Sequence, residues 1–128
     1  MAVTISLVGQ ITATDGTSGA VSLQKQLSLM MPGIIFSQAQ SVPIGTSATA
    51  ISLPIPLVQF VYVKNLHASN TVTVSWTPSG GASNPVIVLQ PGSVIILLEA
   101  NPVPGSGITA LSLQASVANT PVEYILGG

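Results

Sequence analysis

The chain has 128 residues, no cysteine and a net charge of −1, and 4% of its residues are charged. A typical soluble domain carries roughly 25%; the charges here are Asp15, Lys25, Lys64, Glu99 and Glu123, with no arginine and one histidine, His67. This excludes the clustered Lys and Arg that hold a nucleic-acid backbone and any disulfide or Cys-based metal site, while leaving apolar residues enough for one β-sandwich domain over residues 1–128.

The opening MAVTISLVGQ has no basic n-region and a polar-broken apolar run, so it does not read as a signal peptide. Residues Ala2 to Thr14 alternate as a strand, with a bulge expected where Gly9 interrupts the pattern. Asp15-Gly16-Thr17-Ser18-Gly19 is a hairpin turn, and Ala20 to Met30 is its partner strand. Lys25 falls on the apolar parity of that strand, as an edge-protecting lysine does. Pro32-Gly33 turns the chain. Ile34 to Val42 is a strand broken by Pro43, and Ser47 to Leu53 resumes with Ala48, Ala50 and Ile51 inward. Pro54-Ile55-Pro56 suits a crossing between sheets, because neither proline can donate to a ladder.

The stretch Leu57 to Glu99 supplies four short strands, expected at the centre of the sandwich. Its apolar runs are rich in Val, Ile, Phe, Tyr and Trp, and its breaks are Asn, Ser, Gly and Pro. Val72, Val74 and Trp76 share one face of the second strand, Thr71, Thr73, Ser75 and Thr77 the other. Asn101 to Gly107 is a linker. Ile108 to Ser116 is a strand with Ile108, Ala110, Leu111 and Leu113 as its packing candidates. A turn at Ala118-Asn119-Thr120 leads to a closing strand, Pro121 to Leu126. About nine or ten strands at this spacing predict an all-β, antiparallel sandwich, jelly-roll or Ig-like, with little or no helix.

Chemistry is hard to find in this inventory. A hydrolytic triad needs a base and an orienter, yet His67 lies in the turn Leu66-His67-Ala68-Ser69-Asn70 and reads as an ordinary polar turn residue. A glycosidase pair would have to come from Asp15, Glu99 and Glu123, two of which sit at strand ends. Zinc would find a single nitrogen ligand and calcium no carboxylate cluster. Ser79-Gly80-Gly81-Ala82-Ser83 lacks the lysine and the following helix of a phosphate loop. Trp76 reads as core rather than as a sugar platform, although a carbohydrate- or peptide-binding module would need it or Tyr62 exposed. We expect no catalytic residues, no cofactor and no metal. The aliphatic run Val94 to Leu98 falls far short of the ~20 residues of a spanning helix, and the proline-rich joints argue against a membrane barrel.

Six segments, GQITATDGTSG, VSLQKQLSL, SQAQSVPIGTSATAISLP, FVYVKNLHASNTVTVSW, LQPGSVIILL and PVEYILGG, together resemble small all-β structural proteins of tailed bacteriophages. The resemblance implies a non-enzymatic virion component, assembled in the bacterial host cytoplasm. It would be a capsid decoration protein that self-associates and docks on the head, or a tail, neck or fibre accessory. The implied partners are further copies of the chain (a homo-oligomer, a trimer among the options) and the major capsid or tail protein. It transfers no catalytic residue, and implies neither nucleic acid nor membrane as partner. Outward Thr, Ser and Gln, with loop apolars such as Ile55 and Val103, are the expected contact residues.

Overall fold

The computed structural model describes residues 2–14, 20–32, 40–81, 83–98 and 107–128. They divide into two compact units, Met1–Ile34 and Ile35–Gly128. Among the described residues there are ten strands and no helix.

The first unit is an antiparallel ribbon of β1 (Ala2–Thr14) and β2 (Ala20–Pro32). Its register runs without a slip from Ala2 opposite Pro32 to Thr14 opposite Ala20. The bulge expected at Gly9 is therefore absent, and Gly9 stands opposite Lys25. The alternation explains the even ladder: Ile5, Leu7 and Ile11 face Leu29, Leu27 and Leu23, so one register keeps apolar positions together along both strands. The turn at 15–19 lies outside the described residues.

The second unit is an antiparallel sandwich of two four-stranded sheets. One has the order β3 (Gln40–Ile44), β10 (Thr120–Gly127), β5 (Phe60–Asn65), β8 (Val94–Leu98). The other runs β4 (Thr49–Ile51), β9 (Ile108–Ala115), β6 (Val72–Pro78), β7 (Val86–Leu89). The chain changes sheet at nearly every described connection, and the β6–β7 hairpin is the exception. Pro54-Ile55-Pro56 does carry the chain from one sheet to the other, between β4 and β5.

The core follows the two-residue period. Val61 and Val63, Val72 and Val74, Leu111 and Leu113, and Val122 and Leu126 are all essentially inaccessible to solvent. Full burial of such a side chain is worth about 1.5–3 kcal/mol, which is what offsets the cost of ordering so many short strands. Trp76 is half-buried against this cluster.

Four expectations need correction. The Leu57–Glu99 strands are not all central: β7 and β8 are the outermost strands of their sheets. Strand β3 continues through Pro43 to Ile44, because an edge strand tolerates a proline on its open side. Ala48 and Ala50 are exposed; Thr49 and Ile51 are the ones opposite inward-facing Leu113 and Leu111, and Ile51 packs on the core. Ala110 is exposed while Ile108 and Leu111 are buried. The register slips between Thr77–Ala110 and Pro78–Ile108, and the extra residue Thr109 switches parity there.

Beside that bulge, Val58 and Ile108 exchange backbone hydrogen bonds of 3.0 and 2.8 Å. Gly107 precedes them at φ +124°, where a Cβ would lie 2.7 Å from the Val58 oxygen. Both the conformation and the space require glycine.

Candidate interaction surface

Three places in the sandwich merit attention: the His67 turn, the outer face carrying Tyr62, and the rim formed by β7 and β8. The first is structural. His67 Nδ1 accepts the backbone N–H groups of Ser69 and Asn70 at 3.0 and 2.9 Å. Ser69 Oγ is 3.4 Å from the same nitrogen, but it is exposed and competes with two amides already aimed there. Asn70 Nδ2 continues the network to Thr120 Oγ1 at 3.0 Å, which donates to Val117 O at 2.7 Å. This histidine organises a turn, and no acidic group among the described residues orients it.

Asn65, fully buried at the end of β5, is the anchor of that region. Its Nδ2 lies 2.7 Å from Asn70 O, 3.3 Å from Leu89 O and 3.2 Å from Gln90 O. Its Oδ1 accepts the His67 N–H at 3.0 Å. One amide thus ties the 66–70 turn to the turn that joins β7 and β8. A strand ending in Asn beside a turn was the available sequence signal; its reach to Leu89 and Gln90 is long-range and left none.

On the outer face of the first sheet, Glu123 stands opposite Lys64 in register, and the Tyr62 hydroxyl donates to Glu123 Oε1 at 3.1 Å. Burial pushes the Tyr62 hydroxyl above its ordinary pKa of 10.0, and the hydrogen bond and negative charge of Glu123 push it the same way. Beside a small cleft of about 110 Å³ around Ser75, Thr77 and Asn84, the described residues of the sandwich line two larger ones. One of about 260 Å³ is lined by Val58, Val61, Trp76, Leu97 and Ile108 among others. The other, about 480 Å³ and shallow, lies among Ile51, Leu53, Ile55 and Leu111. Neither is lined by a titratable side chain. No three His, Asp or Glu side chains cluster among the described residues. Asp15, Glu99 and Val103 lie outside the described residues, and Ile55, expected as a contact residue, is partly buried against the core.

The rim is different in kind. Val86 is 60% exposed, Val88 and Val94 48%, Ile96 41% and Ile87 39%. These aliphatic side chains occupy the two outermost strands, and the turn Gln90–Ser93 leads from one strand to the other. That turn closes by Ser93 N–H donating to Gln90 O at 3.0 Å, with Gly92 at φ +74°.

The hydrogen-bond phase of each edge can be read. Trp76 N–H donates to Pro85 O at 3.3 Å, so Pro85, Ile87 and Leu89 present their backbone groups to β6. By antiparallel alternation Val86 and Val88 present theirs to the open side. Likewise Asn65 N–H donates to Ser93 O at 3.0 Å, which turns Ile95 and Leu97 toward β5 and Val94 and Ile96 outward. The rim therefore combines apolar side chains with backbone donors and acceptors that no neighbouring strand takes up among the described residues. None of the described charged side chains, Lys64 and Glu123, lies on β7 or β8.

The chain is an all-β sandwich protein whose most distinctive surface is this uncharged edge. No protein-family model, curated protein or solved structure matches it.

Proposed function

We propose that the protein is a non-enzymatic structural component that works by assembling, and specifically a virion protein of a tailed bacteriophage. In this reading it decorates the capsid, self-associating and docking on the head. The observation that carries the assembly part is the β7–β8 rim: aliphatic side chains and open backbone groups on the same two strands. Isolated apolar side chains on a surface are ordinary, but Val86, Ile87 and Val88 in succession on one open edge strand mark a contact site. The scarcity of charge supports it further, since contacts between such surfaces do not require desolvating ions. The phage assignment rests on the sequence resemblance alone.

The test is composition of the particle. Virions purified from a lysogen that carries this coding sequence should contain the chain in many copies, detected as its peptides beside those of the major capsid protein. Particles without it would defeat the virion assignment. Equal copy numbers near those of a tail or neck protein would move the protein from head to tail.

A further inference from the structure

We propose that β7 pairs antiparallel with β7 of a second copy, about a two-fold axis passing through Ile87. The proposal rests on the assembly reading above and supplies its geometry. It does not depend on the virion assignment.

The phase of the edge makes β7 its own complement. The outward backbone groups belong to Val86 and Val88. Setting Val86 opposite Val88 of a second copy aligns donor with acceptor at both residues, and the two-fold repeats the match, giving four backbone hydrogen bonds. Val86 and Val88 then sit beside their counterparts on the outer face, and each Ile87 faces the other. The second sheet continues across the contact as eight strands.

Charge favours a like partner. A two-fold contact brings every residue near the axis close to its own copy, so any charge there would meet its like. β7 carries none, and neither do the described residues of β8. An uncharged rim also offers nothing to select a charged foreign strand. Proline interrupts neither strand, although Pro85 and Pro91 bracket β7 and limit the pairing to its four residues. So short a pairing belongs at the small end of interfaces, below about 1,200 Å², and the dimer should dissociate on dilution.

Because the chain has no cysteine, Ile87→Cys tests the axis directly. Directly opposed residues at such a position have Cα atoms about 4.5 Å apart, within the roughly 4.4–6.8 Å span of a disulfide. Under mild oxidation the full-length Ile87→Cys chain should convert to a covalent dimer, while Ser41→Cys on β3 should stay largely single. A second variant, Val88→Lys, should reduce the native mass by light scattering to that of one chain, with the β-sheet circular dichroism retained. Wild-type protein that is oligomeric, with no Ile87→Cys dimer and no effect of Val88→Lys, would overturn the β7 pairing and leave self-assembly standing at another surface. Wild-type protein that stays a single chain at every concentration would overturn both.

Discussion

The sandwich has two pairs of open edges, and they are finished differently. At β3 and β4 the exposed positions are Ser41, Pro43, Thr49 and Ala50, and β4 is three residues long. Leu66 N–H donates to Pro121 O, so Pro121 faces β5 and its register partner Pro43 faces the open side, where it has no N–H to offer. Short length, proline and small polar residues are the ordinary means of blunting an edge. β7 and β8 are comparably short, at four and five residues, but no proline or small polar residue lies within them: Val86, Val88, Val94 and Ile96 are exposed and their amides point outward. One side of the same fold is closed to further strands and the other is left receptive. Aliphatic edges that served no contact would be expected to carry the protection seen on the opposite side.

The largest effect should come from removing what holds the receptive side in place. Asn65→Ala leaves the Asn70, Leu89 and Gln90 carbonyls and the His67 N–H without their buried partner. Unfolding in urea should show a loss of about 2–4 kcal/mol. A loss under about 1 kcal/mol would mean the turns hold their positions without this amide.

Next comes the blunted side. Pro43→Val restores an outward N–H on β3 and should change stability by about 0.5–1 kcal/mol or less. It should also allow association at both ends of the sandwich, and contacts at two unlike edges propagate rather than close. Light scattering should then show species larger than the wild-type assembly, growing with concentration. An unchanged mass would show that proline is not what keeps β3 single.

The face between the edges should respond least. Glu123→Gln should bring the Tyr62 hydroxyl down toward 10.0, read from phenolate absorbance during alkaline titration, while burial keeps part of the elevation. The sign follows from the raised value: the folded state prefers the neutral phenol. That contribution is complete below pH 10.0, the ordinary value, and is lost as pH rises through the folded value. The native mass should be unaffected by this variant, since the face lies away from β7.

The contrast between edges explains what the sequence could and could not reveal. Alternation put Val72 and Val74 on one face of their strand, and turn residues marked most strand ends, because both signals are local. Partnership is not local. Nothing near Val86-Ile87-Val88 states that β7 has a neighbour on one side alone, so an aliphatic run that suits a central strand turned out to be an edge. The exposed Ala110 had a similar cause: the bulge at Thr109 depends on how β9 meets β6 across 30 residues of chain. Lys64 standing opposite Glu123 and Val94, and Asn65 reaching Leu89, are also products of strand order. The scarcity of charge is legible in composition alone, whereas the open edge of β7 is legible only in the topology.

Amide hydrogen exchange across a concentration series tests the central claim most directly. The Val86 and Val88 N–H groups should exchange fast in dilute protein and become protected as the assembly forms, while Ser41 on β3 stays fast throughout. Fast exchange at Val86 and Val88 in protein whose mass has risen would contradict the account, because the chains would then be joined somewhere other than this edge.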